Sequence, residues 1–150
     1  MKLIYMKLML LFAFVPMVSS GMDRLTALSM LETGDNDGMV GRAGEISRYQ
    51  VKKDQWSSVT SSRDYRNPVI ARQVTLKLLD QRVERFIAVF RRNPTDFELY
   101  ALWNAPTQAL TGRISRVVAE RSRRYANLCS WKGGPVAGLA TVAQAGQAAL

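Results

Sequence analysis

The segment between Asn67 and Pro94 constrains the fold of this chain more than any other part of its sequence. Asn67-Pro68 is typical of a helix start, because asparagine can cap the free N–H groups and proline suits the first helical position. Apolar residues then recur at helical spacing: Ile70, Val74 and Leu78, followed by Phe86, Ile87 and Phe90. We therefore predict one long helix, straight or bent, that ends before Pro94.

A shorter helix precedes it. Asp23 is followed by leucines at helical spacing, which predicts a helix from about Arg24 to Glu32 that ends at Gly34. The stretch 33–44 contains four glycines and has the composition of a loop. Residues 45–51 are expected to be briefly extended.

Two more helices are predicted towards the C-terminus. Thr95 and Glu98 have the spacing of a capping box and open a short helix, largely buried, that stops at Pro106. A last amphipathic helix is expected from about Gly112 to Leu128. Together these elements indicate one mainly helical domain over about residues 21–129.

The absence of histidine and the single cysteine exclude several kinds of site. Without histidine there can be no Ser-His-Asp or Cys-His catalytic system, and Cys129 cannot complete a zinc site by itself. Cys129 also cannot form a disulfide within the chain, so an apolar core must hold the fold together, with this thiol best placed on a buried helix face. Acid–base chemistry is left to the twelve Asp and Glu residues, and we expect neither a metal nor a cofactor.

The two ends of the sequence differ from the middle. Residues 1–20 combine two lysines, a short apolar run and small residues at Val18 and Ser20, which predicts a signal peptide cleaved after Ser20 and an exported protein, periplasmic or extracellular. The apolar run is shorter than the roughly 20 residues of a membrane-spanning helix; an uncleaved anchor or a buried core strand is the alternative. Residues 130–150 are rich in alanine and glycine and are expected to form a flexible tail.

Glu32 is the acidic residue with the most suggestive surroundings. It ends an apolar helix and precedes a glycine-rich polar loop, so one side of it should face the core and the other a cleft. A carboxyl group in such a position can donate a proton to a glycosidic oxygen, although most glutamates at helix ends are simply solvated.

Three blocks of sequence resemble the soluble lytic transglycosylase and goose-type lysozyme-like family. The first runs from Glu32 to Val51 and matches the family's first motif without a gap; Glu32, Asn36, Val40, Gly44, Gln50 and Val51 keep their places. Asn67-Pro68 resembles the start of the next helix, and 100–106 resembles an Ala-Ala-Tyr-Asn-Ala-Gly segment. Tyr125 takes the place of a tyrosine of the last helix that faces the glutamate. The resemblance implies an α+β lysozyme-like fold that is mainly α, with a short extended segment beside the active-site cleft.

The same resemblance implies cleavage of the β-1,4 bond between N-acetylmuramic acid and N-acetylglucosamine in peptidoglycan. Glu32 would be the single general acid/base, giving either hydrolysis or a 1,6-anhydro ring. A second carboxylate would have to come from Asp35, Asp37 or Glu45, but the family manages without one. The residues expected to bind substrate are Thr33, Tyr49, Gln50, Trp103, Asn104 and Tyr125; for Gln50 and Asn104, a loop-stabilising amide is an equal alternative.

Several positions depart from the family pattern. Thr33 replaces a serine and keeps a hydroxyl, whereas Gly41 replaces a serine near the reacting sugar and keeps none. Tyr49 stands in place of a methionine that contacts substrate, and Trp103 in place of a tyrosine that supports the glutamate. Tyr49, Trp103 and Tyr125 are expected to form an aromatic wall for sugar rings. The losses leave open a catalytically inactive exported protein that binds peptidoglycan.

The positive charge admits more than one partner. Removing the signal peptide with Lys2 and Lys7 lowers the formal net charge from +9 to +7, which would still attract the chain to anionic peptidoglycan. A cluster of arginines in the last helix could instead contact nucleic acid or form a solvated face: Arg113, Arg116, Arg121, Arg123 and Arg124. The predicted export argues against nucleic acid, so we expect a monomer that binds glycan strands and has no stable membrane anchor. A basic protein that disrupts membranes is a further possibility.

Overall fold

The structure is a computed structural model that describes residues 22–131. The predicted signal peptide and all of the predicted tail beyond Trp131 lie outside these residues. Six helices make up the described part, which confirms the mainly helical fold class. They are α1 (Arg24–Thr33), α2 (Lys53–Val59), α3 (Pro68–Phe90), α4 (Asp96–Asn104), α5 (Pro106–Thr111) and α6 (Arg116–Ser130).

The helix starts follow the capping chemistry in the sequence. The Asp23 side chain accepts a hydrogen bond from the Thr26 N–H, and the Asn67 side chain accepts from the first N–H groups of α3. Thr95 and Glu98 form both bonds of a capping box at the start of α4. Gly34 ends α1 in the left-handed conformation, with φ +65°.

Three local predictions need correction. Helix α2 was not predicted, because Trp56 is its one buried residue and seven residues show no apolar period. Pro106 does not only end α4; it also begins the separate helix α5, which Gly112 ends. The last helix therefore starts at Arg116 rather than Gly112, with Ser115 as its cap.

The segment 45–51 is a tight turn rather than an extended strand. Ile46 and Val51 form an antiparallel bridge, which is the one β-pairing within residues 22–131. Ser47 and Gln50 adopt left-handed backbone conformations, with φ of 64° and 53°. These conformations fold the chain back between the bridged residues, so the turn projects its side chains in several directions instead of alternating between two faces.

Helix α4 lies at the centre of the fold. Its residues from Leu99 to Trp103 are all buried, and it packs against α6, α5 and α3. Helix α1 also packs against α6, and the hydroxyl of the buried Tyr125 of α6 donates to the Arg24 carbonyl at 3.1 Å. Cys129 is buried in the same core cluster, as the sequence predicted. This packing brings the end of α1 next to the middle of α4.

Within residues 22–131, no helix combines the length and the hydrophobicity that crossing a bilayer requires.

Candidate active site

Glu32 lies on the last turn of α1 and faces a cleft of about 390 Å³. Its side chain is only 7% exposed. The Tyr100 hydroxyl donates a hydrogen bond to Oε1 at 2.7 Å, and Nη2 of Arg121 contacts Oε2 at 3.1 Å. Each carboxyl oxygen therefore has one protein donor, and the group is held in a fixed orientation at the inner wall of the cleft.

Tyr100 comes from the fully buried middle of α4. Burial raises the pKa of its phenol well above the ordinary value, and the Glu32 carboxylate raises it further. The hydroxyl therefore stays protonated at neutral pH and acts as a donor to Glu32. The Arg121 guanidinium lies over the Tyr100 ring, 5.6 Å from its centre, so the three side chains form one packed unit.

The cleft is formed by several separate parts of the chain. Each of the six helices contributes at least one residue, and the loop 42–52 supplies others. Four of the lining residues are cationic and two are acidic: Arg42, Lys52, Arg82 and Arg121 on one hand, Glu32 and Glu45 on the other. An anionic or polar, hydroxyl-rich ligand suits such a lining better than an apolar one does.

Arg82 supports the base of the cleft from α3. Its Nη1 donates to the main-chain carbonyls of Leu102 and Trp103 at 3.3 and 2.7 Å, and its Nη2 donates to Gln55 Oε1 at 3.0 Å. The guanidinium also lies 4.7 Å from the centre of the Trp103 ring. Burial lowers the pKa of Arg82 to about 10, so it remains charged at neutral pH. Arg82 thus fixes the C-terminal end of α4, where Trp103 enters the cleft.

Four of the residues predicted to form the site line this one cleft: Glu32, Gln50, Trp103 and Asn104. Gln50 also stabilises its own loop, since its amide nitrogen donates to the carbonyls of Ser47 and Met39 at 3.2 and 3.4 Å. Trp103 borders the cleft but is only 7% exposed, whereas Asn104 is exposed. Glu32 and Trp103, 71 positions apart in the sequence, therefore border the same cleft.

The other three predicted residues do not line the cleft, so the aromatic wall is not formed. Tyr125 is 1% exposed, lies behind Tyr100 and donates to a main-chain carbonyl. Tyr49 is 3% exposed and borders a separate pocket beside Arg72. The Thr33 hydroxyl donates to the Arg48 carbonyl at 3.0 Å and holds the turn against α1. The side chains of Tyr125 and Tyr49 pack in the core cluster, and that of Thr33 stabilises the loop.

The structure separates the three candidates for a second carboxylate. Arg48 pairs with Asp37 at 2.6 Å and with Asp35 at 2.7 Å, on the side of the loop away from the cleft. The hydrogen bond from Arg48 lowers the pKa of Asp37, which therefore remains ionised in this pair. Glu45 lines the cleft itself. Of the three, only Glu45 shares a cavity with Glu32.

Sequence reasoning missed three residues that define the site: Tyr100, Arg82 and Arg121. A buried tyrosine needs a partner for its hydroxyl, so Tyr100 in an otherwise apolar helix was a detectable signal. Arg121 was grouped with the other arginines of α6, but it points into the cleft while Arg124 pairs with Glu120 on the surface. Nothing in the sequence distinguished Arg82 from its exposed neighbours on α3.

In residues 22–131, no group of three or more His, Cys, Asp and Glu side chains is placed to hold a metal ion. None of the protein-family models, curated proteins and solved structures compared with the chain matches it.

Proposed function

We propose that this protein cleaves the glycan strand of peptidoglycan between N-acetylmuramic acid and N-acetylglucosamine, with Glu32 as general acid and base. The observation that carries the proposal is the position of Glu32: a nearly buried carboxyl group, oriented by two donors, at the wall of a polar cleft. A proton donor held in place and shielded from water is what cleavage of a glycosidic bond requires. The sequence resemblance supplies the substrate class.

In the proposed reaction, Glu32 transfers a proton to the oxygen that leaves with N-acetylglucosamine. Tyr100 keeps its own proton and continues to donate to Oε1, so it steadies the carboxyl group in both protonation states. Arg121 sits at the mouth of the cleft with a side chain that is 36% exposed. It stabilises the carboxylate that forms when Glu32 has given up its proton.

The remaining residues of the cleft suit an amino-sugar ligand. Asn104 offers an amide group and Gln50 its amide oxygen for hydrogen bonds to hydroxyl or acetamido groups, and Trp103 borders the cleft beside them. Muramic acid without a peptide stem has a free lactyl carboxylate, which suits the cationic side of the lining. We also propose that the protein acts after export and as a monomer.

The experiment is digestion of purified peptidoglycan sacculi by the wild type and by Glu32→Gln. Loss of the general acid is expected to slow the release of soluble fragments by roughly 10²- to 10⁴-fold. Glu120→Gln is the matched control, because Glu120 is an exposed glutamate on α6 that pairs with Arg124 and does not line the cleft. Equal turnover by the wild type and Glu32→Gln would contradict the proposal.

One observation favours the inactive alternative, a protein that binds peptidoglycan without cleaving it. Arg121 contacts Oε2 of Glu32 at 3.1 Å, so a cation occupies an oxygen that a proton donor would present to the glycosidic bond. A pulldown with sacculi separates the two functions: retention of the wild type without release of muropeptides would identify a binding protein. Fragment release that depends on Glu32 would identify the enzyme.

A further inference from the structure

We propose that the last turn of α3 and the start of α6 together form a surface that binds an anionic lipid membrane. We call this surface the α3–α6 end; it comprises residues 85–92 and 113–117. The proposal is independent of the proposed function, because neither Glu32 nor any other residue that lines the cleft belongs to this surface. The attachment is reversible and holds a folded domain at the bilayer surface, so it differs from a spanning helix.

Exposed apolar side chains are concentrated at the α3–α6 end. Ile87, Val89 and Phe90 are all exposed in the last turn of α3. Val117 lies in the first turn of α6 and is 71% exposed. Single exposed apolar residues are ordinary on a protein surface, but a group of them commonly marks the place where a partner binds.

A single core cluster connects the two helices beneath this surface. Phe86 packs in it with Ala109 and with Val118, which is the neighbour of Val117. The centres of the Phe86 and Phe90 rings are 4.5 Å apart. The exposed apolar residues of α3 and α6 therefore border the same part of the core and lie at the same end of the fold.

The shape of this end suits a lipid layer better than a partner helix. Successive residues of a helix are rotated by about 100°, so the side chains of Ile87 and Val89 point about 160° apart around α3. A protein helix that packs along α3 covers one stripe of it and would leave one of these two residues exposed. The headgroup and acyl-chain region of a membrane can surround a projecting helix end and cover both residues.

The charge at the α3–α6 end is complementary to an anionic membrane. Its two segments contain no Asp or Glu, and Arg92 pairs with Glu98. The other four arginines form no ion pair within residues 22–131. Arginine can lay its aliphatic stem on apolar surface while its guanidinium contacts lipid phosphates. The exposed arginines of this end are Arg85, Arg91, Arg92, Arg113 and Arg116.

The test is co-sedimentation of the protein with vesicles made of equal amounts of phosphatidylglycerol and phosphatidylcholine. We expect binding that weakens as salt is added, because salt screens the arginine charges, and much weaker binding to vesicles of phosphatidylcholine alone. The protein is used in the form that cells accumulate. All variants share its N-terminal segment, so differences between them report the α3–α6 end. Absence of binding to the anionic vesicles would overturn the proposal.

Three substitutions each remove one feature of the surface. Arg91→Gln is expected to lower the vesicle partition coefficient about fivefold, as the loss of one arginine near an anionic surface should. Val89→Ser and Val117→Ser are each expected to lower it about threefold to tenfold, because less apolar surface enters the bilayer. Circular dichroism establishes that the variants fold. Arg91→Gly is a second variant for the charge, since Arg91 has a left-handed backbone, with φ 57°, that suits glycine.

Matched controls lie at the other end of α3, about 30 Å away along the helix axis. Val69 is 63% exposed, against 57% for Val89, and Arg66 is exposed like Arg91. Val69→Ser and Arg66→Gln are expected to change the partition coefficient by less than about twofold, because their distance from the bilayer exceeds the screening length of about 10 Å. Equal losses in the test and control variants would overturn the assignment to the α3–α6 end.

Two further outcomes would assign this surface to a different partner. A dimer that depends on Val89 and Val117, in a protein that does not bind vesicles, would identify a second copy of the chain. Vesicle binding that survives both valine substitutions would identify a contact with any polyanion rather than with a lipid layer. Glu32→Gln is expected to bind vesicles like the wild type, so failure of either proposal leaves the other intact.

Discussion

The hydrogen bond between Tyr100 and Glu32 allows a test of the site that does not depend on the substrate. Tyr100→Phe removes one hydroxyl and keeps the ring, which is fully buried and packs 5.5 Å from the Tyr125 ring. The lost bond is short, at 2.7 Å, and its acceptor is a carboxylate that is only 7% exposed. A hydrogen bond to a charged group contributes about 1.5–3 kcal/mol, so the free energy of unfolding should fall by about that amount.

Tyr125→Phe is the matched control for this substitution. Tyr125 is equally buried, but its hydroxyl donates to a neutral main-chain carbonyl, that of Arg24, at 3.1 Å. A neutral hydrogen bond contributes about 0.5–1.5 kcal/mol. The two substitutions delete the same atom, so the difference between their effects reports the charge of the acceptor.

The measurement is urea unfolding of both variants and the wild type at neutral pH, followed by circular dichroism. Repeating it in a Glu32→Gln background should reduce the cost of Tyr100→Phe to that of a neutral bond, because a glutamine oxygen still accepts from the hydroxyl but carries no charge. The reasoning would be refuted if Tyr100→Phe lowered the free energy of unfolding no more than Tyr125→Phe does. It would also be refuted if the effect of Tyr100→Phe were the same in the Glu32→Gln background.

Two further predictions concern the parts of the fold that support the cleft. Arg82→Met should lower the free energy of unfolding by about 1–3 kcal/mol for each of the Leu102 and Trp103 carbonyls left without a donor. Arg82→Lys is the comparison that preserves the charge. A urea unfolding curve of Arg82→Met that matches the wild type would contradict the capping role of Arg82. The hydrogen bond from Arg92 lowers the pKa of Glu98 from its ordinary value of 4.5 to about 2. The stability that Glu98 provides should therefore be complete above the ordinary pKa, which applies to the unfolded chain, and be lost as the pH falls towards 2. The difference in stability between the wild type and Glu98→Gln should therefore disappear in acid, and a difference that is constant with pH would argue against this ionic contribution.

Local chemistry in the sequence was sufficient to predict α1, α3 and α4, three of the helices that line the site. Asp23, Asn67 and Thr95 each cap a helix. A cap depends on a side-chain oxygen and N–H groups within three residues of it, so it can be predicted from the local sequence. Helix α2 was missed because a seven-residue helix with one buried side chain, Trp56, leaves no periodic signal. The start of α6 was misplaced by four residues because Gly112 ends the short helix α5, which was also missed, and Ser115 caps α6.

The site was predictable only in part, because its contacts are long-range. Glu32 could be singled out from its position at a helix end, but its partners Tyr100 and Arg121 lie 68 and 89 residues further along the chain. Tyr49 was misassigned because the side-chain direction in a turn depends on backbone angles such as the positive φ values of its neighbours Ser47 and Gln50. Residue type and spacing do not determine these angles.

The packing of α1 against α6 limits when, during synthesis and folding, the site around Glu32 can form. Glu32 is near the start of the described domain, and Arg121 is near its end. During synthesis the chain passes through lengths at which α1 is complete while α6 has not yet been made, and loop-closure entropy delays contacts between such distant segments even afterwards. The oriented carboxyl group is therefore among the last features to form. A nascent or truncated chain that ends before α6 has the acid residue but not the environment that orients it, so the cleft is a property of the completed domain.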